Sequence, residues 1–413
     1  MKDLIKSHKT VSVETFSKVY PEINNAIFES GDFNLSRNGP TKEFLNFKTE
    51  ILNPYRRCSG GYGRDINVFF FLAEALWIFL GQREVKFLEY FNSRMSTFSD
   101  NGTVFHAPYG FRLRHYGIFS DDISYRGDDF LTIKSEENKH AHYSDDSLDQ
   151  VKSAIRAFHK NPDDRRVVLS IWSPLMDLEM SSKDIPCNDL LMYKVRDGKL
   201  HATIANRSND LHWGLPTNVF QFSFISEIIA YCLGLEMGTQ THNSQSLHVY
   251  TDVPVSSEMY ANHEMKKRGV ARFEDLYEYA KEQRMVFENK FDNPVLKFDE
   301  IETYAQILYK NILSKMNNES PDLDAMVVLE KSAPYFANIY KLISIYIDYK
   351  NALSKSKGDH IRIEAILAIW EVFGKDCKID IVVLAINFFA RRIKDPSLTI
   401  WREFPQHSFI GKY

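Results

Sequence analysis

Residues 164–174 read DRRVVLSIWSP, residues 185–224 read IPCNDLLMYKVRDGKLHATIANRSNDLHWGLPTNVFQFSF, and residues 246–250 read SLHVY. LLMYKV and KLHATIA are short apolar-rich runs that predict strands, and VFQFSFISEIIAYCLGL is long and apolar enough to predict a buried helix. Between these runs stand one cysteine, several arginines and a set of amide, hydroxyl and imidazole groups. That is the residue inventory of a nucleotide site.

Cys187 taken alone is a small hydrophobe. Pro186 before it biases the chain toward a strand end or turn. A thiol becomes a nucleophile where cations stabilise its thiolate, and Arg165, Arg166 and Arg207 are the nearest candidates in sequence.

Arg165-Arg166, Pro186-Cys187, Arg207-Ser208-x-Asp210, Gly214-Leu215-Pro216-x-Asn218 and His248-x-Tyr250 occur in the order and approximate spacing of the thymidylate synthase family, which includes the pyrimidine nucleotide hydroxymethylases. Glu74-Ala-Leu-Trp77-x-x-x-Gly81 and Tyr109-Gly110-x-x-x-Arg114 resemble two further blocks. The resemblance covers roughly residues 30 to 260. It implies that Cys187 is the nucleophile, that Glu74 moves protons near the pyrimidine O4, that Tyr109 assists loss of the C5 proton, and that Asp210 contacts the pterin of 5,10-methylenetetrahydrofolate. It further implies that Arg37, Arg207 and Ser208 bind the nucleotide phosphate and that Arg165 and Arg166 reach the phosphate of a neighbouring subunit, hence a homodimer. By the same resemblance Asn218 pairs with the base, and His248 and Tyr250 bind the sugar 3'-hydroxyl.

Several departures from the synthase pattern weigh against hydride transfer. Asn188 stands where His usually follows the nucleophile, and Asn206 where Gln precedes the arginine. No tryptophan occurs around Arg94-Met95-Ser96, Gln245-Ser246 replaces Gly-Asp, and the end FIGKY lacks the Ala-Pro-hydrophobic tail.

The chain has 413 residues and a formal net charge of -4, which gives no reason to expect nucleic acid or an anionic membrane as partner. Four scattered cysteines (Cys58, Cys187, Cys232, Cys377) have no CxxC spacing, so neither a zinc site nor a disulfide framework is indicated, and a cytoplasmic location is expected. The amino terminus has no signal-peptide run and no stretch is apolar enough to span a membrane. Arg56, Arg57 and Arg64, among the glycines of NPYRRCSGGYGR, read either as solvated loop residues or as a phosphate clamp. Glu74, inside the apolar run NVFFFLAEALWIFL, is a carboxyl whose burial would raise its pKa. The charged stretch Asp121–Asp146, with His140 and His142, reads as an irregular insertion. Asn218 ahead of its apolar helix reads either as a helix cap or as a base contact.

From residue 263 onward helical spacing recurs in RFEDLYEYAKEQRMVF, EIETYAQILYKNIL, ANIYKLISIYIDY and IDIVVLAINFFARRI, which predicts four or five helices without chemistry of their own. The expected architecture is α/β (α+β): residues 1–262 as a thymidylate synthase-type mixed sheet with packed helices, and residues 263–413 as an all-α extension. The implied activity is folate-dependent methylation of dUMP to dTMP without a metal. A uridylate or cytidylate 5-hydroxymethylase is the alternative, and a non-catalytic nucleotide-binding protein the second.

Overall fold

The computed structural model describes residue 5 and residues 7–58, 67–117, 147–252, 296–375, 377, 379–390 and 392–393. Arg64, the Asp121–Asp146 stretch, RFEDLYEYAKEQRMVF, the division at 262/263 and the terminal FIGKY lie outside them.

Eight strands form one mixed sheet: β1 (Thr10–Val13), β2 (Asp32–Ser36), β3 (Gly39–Ile51), β4 (Val168–Ser170), β5 (Asn188–Arg196), β6 (Lys199–Asn206), β7 (Asn209–Asp210) and β8 (Glu236–Tyr250). The spatial order is β1-β3-β8-β6-β5-β4, with β2 on β3 and β7 on β8. Pairing is antiparallel between β3 and β8 and between β5 and β6, and parallel between β6 and β8. The register decides where the chemistry gathers. Asn188 faces Asn206, Asn206 faces Ser244, and Asp210 and Glu43 both face His248. The start of β5, the ends of β6, β7 and β8, and the start of β3 therefore meet at one end of the sheet, bringing residues 37, 187, 207–210 and 248–250 together. Gly39 opens β3 with φ 129°, in the region that favours glycine, directly after Arg37-Asn38.

The α-helices among the described residues before 253 are α1 (Tyr20–Ser30), α2 (Val68–Phe79), α3 (Val85–Phe91), α4 (Tyr109–Arg114), α5 (Gln150–Lys160), α6 (Pro174–Asp177) and α7 (Gly214–Cys232). Asn67 caps α2 by accepting from Phe70 N. Helix α7 begins five residues earlier than its apolar run suggests, because Gly214-Leu215-Pro216 already has helical geometry, and proline is tolerated in a first turn. Asn218 therefore lies inside the helix, 7% exposed, and does not cap it. Gly110 lets α4 press on α2: a Cβ there would fall 2.1 Å from Ile78 O.

Five described helices follow: α8 (Phe298–Met316), α9 (Leu323–Ser332), α10 (Pro334–Lys355), α11 (Asp359–Phe373) and α12 (Asp380–Ala390). They share one continuous apolar core with α2 and α7. Phe69 of α2 stacks on Tyr346 at 4.5 Å and meets Phe388 and Phe389 edge-on or tilted at 5.4 Å. Arg114 of the Tyr-Gly-x-x-x-Arg block bonds Asp149 at 2.9 Å, pairs with Glu302 of α8, and lies 5.0 Å over Phe298.

The structure corrects the reading of Arg57. It is neither a solvated loop residue nor a phosphate clamp: it is 1% exposed and paired with Glu227 of α7, itself 4% exposed. The glycines around it obscured this, since the partner lies 170 residues away.

Candidate active site

The convergence at the sheet end leaves a cavity of about 640 Å³ whose walls include Arg37, Tyr109, Cys187, Arg207, Ser208, Asp210, Asn218, His248 and Tyr250. Nine of the twelve residues singled out from sequence are thus on one surface. Glu74 is not among the lining residues. It lies on α2 and accepts a short hydrogen bond from Gln221 of α7. Arg165 and Arg166 are exposed on the turn before β4 and line no part of the cavity of their own chain, and Arg166 pairs with Asp164 at 2.9 Å.

Cys187 ends the loop leading into β5, and that loop is gripped from several sides. Arg37 donates to Ser182 O (3.0 Å) and Lys183 O (3.1 Å), and Arg207 donates to Pro186 O (2.7 Å) and Ile185 O (3.0 Å). Asp100 accepts from Ser182 Oγ at 2.6 Å and Lys183 N at 3.0 Å, while Asp184 accepts from Ala107 N at 2.8 Å. A guanidinium carries five donors in a planar fork, so each arginine can hold the loop and still present N–H groups to an anion. Arg207 also lies 5.8 Å over the Trp172 ring and puts Nη2 3.8 Å from Cys187 Sγ.

Electrostatics around the thiol are opposed. Desolvation pushes Cys187 above the ordinary cysteine range, Arg207 pulls it down, and Asp184, Asp189 and Asp210 push it up, with a net rise. The resting group is a thiol. Tyr109 accepts from Cys187 N at 3.4 Å, stacks at 6.3 Å on Phe222, and is held well above the usual phenol range, first by burial and then by Cys187 and Asp184. Burial raises Glu74 to about 8 against the opposing Gln221 bond, so this carboxyl is neutral at pH 7. Asp210 Oδ1 accepts from His212 N at 2.7 Å, which fixes the β7 turn at the cavity wall.

Sequence reasoning missed several parts of the site. Trp172, Asp177, Leu178, Asn34, Asn38 and Glu43 also line the cavity. Asp177 is a buried carboxylate gripped at both oxygens by Arg112 (3.0 and 3.1 Å) and approached by His106 at 3.0 Å; burial pushes its carboxyl up, but these partners outweigh that and hold it low. Serving Asp177, Arg112 pins the corner that carries Trp172 and Leu178. Trp213, 43% exposed and 6.3 Å from the Tyr250 ring, has Arg94 5.8 Å over it. The segment lacking a tryptophan thus presents an arginine to a tryptophan from the start of α7. A further group, Asn188, Asn209 and Ser244, is buried beside Asn218, and Asn209 also lines the cavity. The signal available for it was the run of asparagines in β5, β6 and β7.

The cavity volume lies well inside the range of roughly 300–1,000 Å³ typical of ligand sites.

A sequence model described as Thymidylate synthase matches residues 20–313. The chain is 39% identical over 238 residues to a deoxyuridylate hydroxymethyltransferase of Bacillus phage SP01, covering 57% of each protein. It is 33% identical over 248 residues to a protein of the same name from Pseudomonas phage M6, covering 59% of this chain and 62% of that one. Similarity to thymidylate synthase 1/2 of Encephalitozoon cuniculi is 32% over 145 residues, 35% of this chain and 43% of that protein. The match thus spans less than two thirds of each of these relatives. The family match covers well over half of the sequence, and the chain belongs to the thymidylate synthase family.

Proposed function

We propose that the protein transfers a one-carbon unit to C5 of dUMP and releases the hydroxymethyl product. The observation that carries the reaction class is the placement of Cys187 Sγ 3.8 Å from the Arg207 guanidinium inside a cavity walled by Ser208, Asp210, Asn218, His248 and Tyr250. The two phage relatives named deoxyuridylate hydroxymethyltransferase favour uracil as base and hydroxymethyl as product. Methylation to dTMP is the second reading, favoured by the similarity to the Encephalitozoon synthase.

In this reading Arg37, Arg207 and Ser208 hold the phosphate, His248 and Tyr250 hold the sugar hydroxyl, and Asn218 pairs with the base. Cys187 Sγ, its proton passing to water and its thiolate held beside Arg207, adds to C6 and makes C5 a nucleophile. Methylenetetrahydrofolate, when bound against Asp210, would supply the one-carbon unit at the formaldehyde oxidation level, its carbon–nitrogen bond breaking as the C5 proton is lost so that it leaves as tetrahydrofolate. The C5 proton passes to water, which the neutral Tyr109 hydroxyl orients, and neutral Glu74 serves the O4 side through the water it organises with Gln221. Water captures the exocyclic methylene left on C5, and elimination frees Cys187. The exposure of Arg165 and Arg166, away from their own cavity, supports a homodimer in which they serve the partner's phosphate. The four cysteines are unbridged, which supports a reducing cytoplasm. Among the described residues no helix is long and apolar enough to cross a membrane.

The test is tritium release from C5-labelled dUMP, dCMP, UMP and CMP with methylenetetrahydrofolate, followed by mass analysis. Release from dUMP with a hydroxymethyl product is expected; a methyl product would replace this reading by the second. Asn218→Asp is expected to lower kcat/KM for dUMP roughly 10- to 100-fold, because a buried donor is lost where uracil offers an acceptor, and to raise that for dCMP. An unchanged preference would remove Asn218 from base reading.

Glu74→Gln is expected to lower kcat/KM by roughly 10²- to 10⁴-fold, the usual range for general acid–base groups. Its pKa is raised to about 8, so the competent neutral form is complete at low pH and is lost as pH rises through 8. The wild-type profile should fall on that alkaline limb and the variant's should not. A variant that keeps the limb would assign it to another group.

A further inference from the structure

Helix α4 is six residues long; it begins at Tyr109 and ends at Arg114. Tyr109 lines the cavity, and its hydroxyl meets Cys187 N, so whatever fixes α4 fixes that hydroxyl. Both ends of α4 rest on the carboxy-terminal end of α2. Gly110 lies against Ile78 O, where a Cβ would fall 2.1 Å away, and the Arg114 guanidinium donates through Nη1 to Phe79 O. Phe79 O is among the last carbonyls of α2, which have no partner within their own helix. Glu74 stands on the same helix. One junction thus carries both Tyr109 and Glu74.

The rest of the Arg114 fork is engaged outside the junction. Nε donates to Asp149 Oδ2 at 2.9 Å, and Nη2 donates to Glu302 Oε1 on α8. The second oxygen of Glu302 lies 3.0 Å from Lys152 Nζ on α5, and Lys152 lies 3.0 Å from Asp299 on α8. Arg114 and Lys152 both sit over the Phe298 ring, at 5.0 and 5.5 Å. Glu302 is therefore a carboxylate between two cations that share one aromatic ring. Burial pushes its carboxyl up, but Arg114 and Lys152 outweigh that and hold it below the ordinary glutamate range. Without it the two positive charges keep only Asp149 and the largely exposed Asp299 as anions. Like charges repel more strongly where water is excluded, and that repulsion acts to move the guanidinium off Phe79 O.

We infer that Glu302 is a positioning residue for the reaction: by holding Arg114 on Phe79 O against the charge of Lys152, it seats α4 on α2 and keeps Tyr109 where it orients the water that receives the C5 proton. The inference rests on the one-carbon reading above. It gives α8 a part in the chemistry although none of its residues lines the cavity.

The test is tritium release from C5-labelled dUMP with methylenetetrahydrofolate, on the full chain, with kcat and KM resolved and thermal midpoints taken by circular dichroism. Glu302→Ala is expected to lower kcat by roughly 10- to 100-fold, the scale of a small displacement at a reacting centre. KM for dUMP should stay within about twofold, because no phosphate, sugar or base contact is touched. Adding Lys152→Met removes the second cation, and the double variant should recover most of the lost kcat. Glu302→Gln keeps a neutral acceptor; its kcat should fall between wild type and Glu302→Ala, and it carries the comparison where Glu302→Ala is too unstable to assay. Leu308→Ala, which opens a cavity under the buried face of α8, is the control for loosening alone. Its thermal midpoint should fall at least as far, with kcat unchanged below that midpoint.

A merely structural role predicts the opposite pattern: the double variant is worse than Glu302→Ala, and Leu308→Ala loses kcat in step with its stability. Either result would overturn the inference, as would wild-type kcat in every folded Glu302 variant. If wild type releases no tritium from any labelled nucleotide, the one-carbon reading falls and this inference with it. If wild type releases tritium from dUMP and the Glu302 variants match it, only the inference falls.

Discussion

Cys187→Ala is expected to reduce tritium release from C5-labelled dUMP by roughly 10⁵-fold or more, the scale seen when a covalent nucleophile is removed. Affinity for dUMP should change little, because the phosphate, sugar and base contacts reside on Arg37, Arg207, Ser208, His248, Tyr250 and Asn218. The size of the effect follows from what the thiol does. Without a bond to C6 the ring carbon C5 has no electron pair to offer, and the other cavity residues beside it cannot replace that step. Tyr109 is held in its neutral form by burial. A variant that retained turnover within about tenfold of wild type would rule out covalent catalysis and, with it, the proposed role of every other residue at the thiol.

The contacts around Cys187 also explain how much of the site could be read beforehand. Cys187, Arg207, Ser208, Asp210, His248 and Tyr250 sit at strand ends, where short blocks of sequence keep their spacing whatever the surroundings, and all six line the cavity. Asp177 and Trp172 could not be read that way. Their meaning depends on Arg112 and Arg207, which reach them across 65 and 35 residues of chain. Asn218 was visible as a residue but not as a position inside α7, because a proline in a first turn looks like a break. The buried amides bonded to it, Asn188 and Asn209, needed the pairing of Asn188 with Asn206 and of Asn206 with Ser244, a property of the sheet and not of any one strand. Among the later described helices, α8 and α10 carry clear apolar stripes, and α12 is buried on every face. Helix α9 has one buried residue, Leu329, so its sequence carries little of the 3.6-residue signal.

Glu227→Leu is expected to destabilise the protein by about 3–5 kcal/mol, the cost of stranding one member of a buried ion pair. Arg57 and Glu227 lie where α7 meets the later helices: the field at Arg57 includes Glu227, Tyr335 at the start of α10 and Asp380 at the start of α12. Asp380 is raised to about 7 by burial, against the pull of Arg57, so it offers an incomplete substitute for Glu227. The reciprocal change, Arg57→Met, should cost less, because a carboxyl left alone can take up a proton and lose its charge, whereas a guanidinium cannot. The double variant Arg57→Met/Glu227→Leu should recover most of the loss, since two apolar side chains of similar volume need no partner. Denaturant midpoints and slopes for the three variants measure this directly, and an unchanged slope would show that the native state remains intact. A shift below about 1 kcal/mol for Glu227→Leu, or a double variant no better than the worse single one, would mean that the pair is solvated and does not join the sheet domain to the helices. The expected result makes the helices from residue 298 onward part of the same cooperative unit as α2 and α7, the two elements that supply Glu74, Gln221 and Asn218 to the site.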